Sequence, residues 1–273
     1  MPKFAFLVMY ELRCLKHIDK LYKYIIDFYD ADIIICCQDL PDKQENVDMF
    51  DRKVVYKEVY KKPNISEYYA DNTRIKIPGN NWNNERACLQ VWINFSKMAD
   101  VVEKFKDNYD YFIQMRTDVD ILFPFPDKDL FETIPKGIYS FSPNYSKIWG
   151  GFPELGFIHK DYIIQTLTAF NNIIKNNEID DTFFIDLNAE NFMNKCLNYY
   201  NLIRTPIHCL NYIFIANDTN SHYTWAYPSR ISIYDGVIKY PQQVSEVLEL
   251  TKLWNKEYRW KFTGDSITLI GSN

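Results

Sequence analysis

Phe4 to Met9 is apolar at every position, and Ala31 to Cys37 is apolar at all but Asp32. A strand with one face in water alternates apolar and polar residues, whereas a strand covered on both faces does not. Between the two runs, Leu12, Leu15, Ile18, Leu21, Ile25 and Phe28 recur at helical spacing. Strand, helix and strand in that order pair in parallel through a right-handed crossover, with helices over both faces of the sheet. The expected class is therefore α/β, with a mostly parallel central sheet flanked by helices.

The remaining sequence extends this plan. Lys53 to Val59 reads as a third strand, and Lys61 to Asn84, with Pro63, Pro78, Gly79 and an Asn-rich run, reads as a loop. Glu85 to Phe105 carries Cys88, Val91, Trp92, Phe95, Met98, Val102 and Phe105 on one helical stripe. Strands are expected at Tyr111 to Met115 and Gly137 to Phe141, and a turn at Gly150-Gly151 leads into a short buried strand ending near Phe157. Helices are expected over Tyr162 to Ile174, from the Asp180 to Asp186 segment to about Tyr200, and over Val244 to Leu253. Leu202 to His208 and Tyr212 to Ala216 read as extended. No repeat or low-complexity linker divides the chain, so one domain spanning 1–273 with an elaborated C-terminal half is expected.

Composition narrows the function classes. With 47% hydrophobic residues the chain can build a large core, and its net charge of -5 includes no Lys/Arg-rich block. Nucleic-acid binding normally leaves a basic stripe, so it is not expected. The cysteines Cys14, Cys36, Cys37, Cys88, Cys196 and Cys209 match neither a disulfide framework nor a paired C-x-x-C metal site, and read as reduced core thiols. Met1 to Met9 is too short for a signal peptide and Glu11 follows it, so neither secretion nor a transmembrane segment is expected; the expected location is the cytoplasm, or the host cytoplasm for a viral protein. Neither a G-x-x-x-x-G-K-[ST] loop nor a G-x-G-x-x-G turn is present, which removes the usual supports for an ATPase or a dinucleotide-dependent oxidoreductase.

The chemistry concentrates in Tyr109-Asp110-Tyr111-Phe112-Ile113-Gln114-Met115-Arg116-Thr117-Asp118-Val119-Asp120-Ile121-Leu122-Phe123. Here a buried strand ends in an arginine and two aspartates spaced i, i+2, which share one face of extended chain. Such a pair can hold Mg²⁺ or Mn²⁺ against a diphosphate, one carboxylate directly and the other through water or ribose. The same pair also suits a solvated loop or a helix cap. Arg116 can clamp a phosphate or orient the aspartates. Tyr10 and Arg13 follow the first strand, where open parallel sheets gather ligands. His208 is a candidate third metal ligand and His222 its rival; both residues equally fit ordinary histidines. Inverting glycosyl transfer also needs a general base beside the acceptor hydroxyl. Glu154, among Gly150, Gly151, Pro153 and Gly156, is the first candidate, and Asp186 and Glu190, which share a helix face at i, i+4, are the others. Trp82, Trp149, Tyr223, Trp225 and Tyr227 are candidate stacking surfaces for a sugar or base.

In this order of motifs the chain resembles the GT-A type sugar-nucleotide glycosyltransferases, in the style of small polysaccharide and lipopolysaccharide enzymes of bacteria and large DNA viruses. The resemblance spans roughly residues 1–210 and lies in Trp82, Asn84, Glu85, Gln90 and Trp92 before the Tyr109-Asp110-Tyr111 strand, then Arg116-x-Asp118-x-Asp120, Gly150-Gly151, Leu155-Gly156-Phe157, Glu190 and Arg204. Glu154 stands where Asp is expected, and Ala189-Glu190 where Pro-Glu is expected. The resemblance implies a GT-A-like domain whose residues 1–120 mainly bind the nucleotide sugar and whose residues 121–273 mainly bind the acceptor. It also implies Mn²⁺ or Mg²⁺, a UDP-sugar ahead of a GDP-sugar as donor, and a glycan acceptor, with xylose among the sugars to consider. The other readings are a retaining transferase of the same fold, a noncatalytic carbohydrate-binding protein, and a metal-dependent phosphohydrolase or nuclease.

Overall fold

The structure is a computed structural model and describes residues 1–10, 15–39, 47–69, 87–141, 156–176, 178–184, 189–208, 211–216, 227–228, 237–238 and 241–271. The opening unit is strand β1 (Phe4–Tyr10), helix α1 and strand β2 (Asp32–Gln38). Helix α1 runs over Ile18–Leu21, widens into a π-helical stretch at Tyr22–Ile26 and closes at Asp27–Tyr29. It begins later than the apolar spacing from Leu12 implies, yet Leu15 is buried in the same core. Asp30 ends the helix in the left-handed region, with φ 53°, and Lys53 binds its carboxylate at 2.7 Å.

Strand β3 (Val54–Tyr60), helix α2 (Ala87–Val102) and strand β4 (Tyr111–Gln114) follow. Next come β5 (Val119–Ile121), β6 (Ile138–Phe141), β7 (Gly156–His159), α3 (Lys160–Lys175), α4 (Ala189–Tyr199), β8 (Arg204–Ile207) and β9 (Tyr212–Ala216). The chain continues through β10 (Tyr227–Pro228), β11 (Val237–Ile238), α5 (Pro241–Asn255), β12 (Tyr258–Phe262) and β13 (Ile267–Gly271).

Among the described residues, nine strands form the main sheet in the order β12-β13-β8-β6-β7-β4-β1-β2-β3. Its neighbours pair in parallel except around β7, which is antiparallel to β4 and β6, and between β12 and β13. The fold is thus α/β, with a mixed, mostly parallel sheet between helices, and its architecture is consistent with a Rossmann-like superfamily. The strands β1, β2, β4, β6 and β8 all end on one edge, at Tyr10, Gln38, Gln114, Phe141 and Ile207.

The two faces of β1 explain its unbroken apolar run. Phe4, Phe6 and Val8 enter one core with Ile25, Val119, Ile213 and Val247, while Ala5 and Leu7 enter the other with Trp92, Leu167 and Met193. Full burial of each large side chain stabilises the fold by about 1.5–3 kcal/mol relative to exposure. Trp92, one of the motif aromatics, is a core residue stacked on Phe170 with ring centroids 4.4 Å apart. Cys36, Cys37 and Cys196 are buried free thiols, as expected for core cysteines.

Gly156 has a structural duty at the start of β7. Its φ is +78°, and a Cβ there would lie 2.0 Å from the Tyr139 carbonyl oxygen, so only glycine lets β6 and β7 approach this closely.

Candidate functional site

The chain steps from β1 to β2 to β3 in one direction, and β4 then pairs on the opposite side of β1. Connections leaving the carboxyl ends of β1 and β4 therefore diverge. Such a topological switch point is where open α/β sheets hold ligands. The segment that follows β4 turns out of the main sheet here.

Met115 is buried in the core, and after Arg116 and Thr117 the chain enters a second, 4-stranded sheet of order β10-β11-β9-β5. Strand β5 runs antiparallel to β9, with Asp120 opposite Ile213, and the Ile215 amide donates to the Asp118 carbonyl at 3.1 Å. Alternation then sorts the side chains. Val119 and Ile121 enter the core, which leaves Asp118 and Asp120 on the other face. The carboxylates are not solvated there: Asp118 is 0% exposed and Asp120 2%.

Each carboxylate meets a cation. Arg116 forks onto Asp118, with Nε donating to Oδ1 at 2.8 Å and Nη2 to Oδ2 at 2.6 Å. The pair is bidentate and shielded, since the Arg116 side chain is only 14% exposed. Asp120 is met from the start of α1, where Lys20 Nζ donates to Oδ1 at 2.5 Å. His17 Nδ1 lies 3.9 Å from the same oxygen. Burial pushes the His17 imidazole below its usual range, and Lys20 and Lys16 push the same way against the attraction of Asp120. Burial thus favours the neutral imidazole, and the charged groups described here include the carboxylates Asp118 and Asp120 and the cations Arg116 and Lys20.

Lys20 and His17 escape sequence reasoning. On a helix both look like surface residues, and only the docking of α1 against β5 brings them to Asp120. Gln90 also stands out: its amide nitrogen and oxygen are both buried without a hydrogen-bond partner. One turn further along α2, Asn94 accepts from Gln38 at the carboxyl end of β2 at 2.7 Å.

The other expected site residues divide as follows. Tyr10 ends β1 at the switch point, and Glu190 lies in the first turn of α4. Arg13, Glu154 and Asp186, with His222, Trp82, Trp149, Tyr223 and Trp225, lie outside the described residues. Gly156, two residues after Glu154 in sequence, sits opposite Gln114 on the same sheet edge as the charge cluster. His208 follows β8, where its amide donates to the Ile267 carbonyl at 2.8 Å and its imidazole acts on Asp265. Among the described residues no group of three or more His, Cys, Asp or Glu side chains that could hold a metal ion is found. Asp180 accepts from the Thr182 amide at 2.7 Å and caps the short helical turn at Asp181–Phe184. Arg204, on β8, donates to Asn194 of α4 and packs helix to sheet.

Burial raises the Cys36 thiol to about 12 and the Cys37 thiol to about 11, so neither supplies a thiolate nucleophile near neutral pH. No described helix is long and apolar enough to cross a membrane.

Fold and site together define an α/β protein with a Rossmann-like sheet and a shielded cluster of paired charges at its switch point. The sequence matches no protein-family model, and no curated protein matches it.

Proposed function

We propose that this protein is a glycosyltransferase of GT-A type that moves a sugar from a nucleoside diphosphate, with a UDP-sugar as the first donor to test, onto a glycan hydroxyl. The observation that carries this is the pair of buried carboxylates Asp118 and Asp120, matched by Arg116 and Lys20 at the carboxyl edge beside β1. Maintaining two carboxylates and two cations at 0–2% exposure of the acids is expensive in desolvation, and a hydrophobic substitute is often as stable. A charged ligand that uses the cluster accounts for its retention.

The donor set fits a hard divalent cation in one arrangement. Both oxygens of Asp118 accept from Arg116, whereas among the described residues Lys20 and His17 meet Asp120 at Oδ1. Asp120 Oδ2 would be the oxygen offered to a metal, and Asp118 fixes Arg116. Mg²⁺ and Mn²⁺ sites of this chemistry commonly use one or two carboxylates and take their remaining ligands from phosphates and water. A bound cation would withdraw charge from the leaving diphosphate. Arg116, pinned in orientation, would add its fixed positive charge beside the anion, and Lys20, one third exposed, a mobile one. The acceptor hydroxyl would lose its proton to one of Glu154, Asp186 or Glu190, with Glu154 the first to test because Gly156, two residues later in sequence, pairs opposite Gln114. Placed opposite the leaving diphosphate, that carboxylate gives inversion at the anomeric carbon.

Calorimetric titration with a panel of UDP- and GDP-sugars, with Mn²⁺ and with a chelator, tests this on the intact protein and on Asp120→Ala. Metal-dependent binding of one nucleotide sugar, abolished by the substitution, is expected. Saccharide binding that ignores both chelator and substitution would instead identify a carbohydrate-binding protein.

A further inference from the structure

We propose that Lys20 is an exchangeable diphosphate ligand: it neutralises Asp120 in the donor-free protein and moves onto the donor's diphosphate when a divalent cation takes that carboxylate. The inference rests on the donor-site assignment above and specifies how that site couples its two charged ligands.

Asp120 is 2% exposed, and a carboxylate so buried needs a counter-charge at all times. In the structure Lys20 supplies it at 2.5 Å. A divalent ion on the same carboxylate would stand within a few ångströms of the ammonium, and like charges at that range in a shielded site repel strongly. Arg116 cannot relieve this repulsion by moving, because Asp118 grips it at two nitrogens. Lys20 can: its side chain is 33% exposed, and it sits on a flexible stem with one strong contact. A diphosphate arriving with the metal is the anion that would stabilise the displaced ammonium.

The consequence is positive coupling. Metal alone must displace Lys20 into water and binds weakly; metal and nucleoside diphosphate each strengthen the other by the same factor. Lysine at this position therefore makes the empty site resist stray divalent ions.

The test titrates Mn²⁺, by electron paramagnetic resonance and calorimetry, into wild type, Lys20→Met and Lys20→Arg, each with and without UDP (GDP serving as the second probe). Lys20→Met is expected to bind Mn²⁺ alone more tightly, on the order of threefold to tenfold, because the competing cation is gone. The same variant should bind UDP in the presence of Mn²⁺ about tenfold more weakly, so that the coupling collapses. Lys20→Arg should retain most of it. Equal Mn²⁺ affinity in wild type and Lys20→Met, while wild type binds Mn²⁺ with UDP, would overturn the exchange and leave the donor site standing. Failure of folded wild type to bind either probe would overturn the donor site itself. Lys20→Gln, which keeps a hydrogen-bond donor near Asp120, carries the same expectation if Lys20→Met does not fold.

Discussion

Strands β4 and β5 are separated by only four residues, yet they live in different environments. Every residue of β4 is buried within the main sheet, between β1 and β7. Strand β5 is also buried, but one of its faces is apolar and the other is carboxylate matched by Arg116 and Lys20. Shape and dispersion hold the first strand, whereas charge matching holds one side of the second. The corner between them, Met115 to Asp118, is where apolar packing gives way to charge matching.

The difference predicts two kinds of fragility. On the β4 side the largest effect is expected from Gly156→Ala, which forces an L-residue into positive φ and drives its Cβ into the Tyr139 carbonyl. A loss above about 4 kcal/mol, or no folded protein, should appear in urea unfolding. On the β5 side Arg116→Met removes the bidentate counter-charge of a fully buried Asp118 and should cost about 3–5 kcal/mol. Adding Asp118→Leu to that variant should recover most of the loss, because a hydrophobic pair of similar volume often replaces a buried ion pair without penalty. If the double variant is no more stable than Arg116→Met, the corner is held by something other than charge matching.

Asp120→Asn keeps the shape of the side chain and should cost only about 1–2 kcal/mol by the same assay, through loss of a charge-assisted hydrogen bond. Nucleotide-sugar binding should nevertheless disappear, which separates the stabilising role of the pair from its ligand role. The smallest effect is in pH. His159 accepts the Asp161 amide through Nδ1 and caps α3, and burial holds both His159 and His17 below the usual histidine value of 6.5. The unfolded chain then binds more protons as pH falls below 6.5, so stability is present above that value and is lost as pH falls through the lowered folded values. Replacing His159 with Asn, which also caps helices, should flatten its share of that slope while leaving the His17 share.

Most of the main sheet is legible in the sequence because burial on both faces writes itself as unbroken apolar runs, as in Phe4 to Met9 and Ala31 to Cys37. Helices α2 and α3 are equally plain in their stripes. Strand β5 is not, because three residues are too short a run to show a period and its pairing with β9 leaves no trace in sequence. That Tyr258–Phe262 and Ile267–Gly271 extend the main sheet beyond β8 is also hidden, since pairing partners far apart in sequence leave no periodic trace. Within the site, Arg116, Asp118 and Asp120 are visible because charge interrupts apolar sequence. Lys20 is invisible because a lysine on an amphipathic helix needs no special explanation until something docks against it. Gly156 is visible as a glycine, but its reason is the Tyr139 backbone and not an approaching ligand.

The π-helical stretch Tyr22–Ile26 begins two residues after Lys20. A π turn is equivalent to one extra residue spliced into an α-helix, and a residue of α-helix turns through about 100°. The stretch therefore sets the angular phase between the two ends of α1: Lys20 points at Asp120 while Ile25, Ile26 and Tyr29 still pack in the core. Deleting a single residue there would let the helix rewind without breaking it, and the apolar end, anchored by far more surface, would keep its place. The lysine would swing round the barrel of the helix instead, so the aim of this side chain is stored in a miscount of the backbone several residues away from the charge it serves.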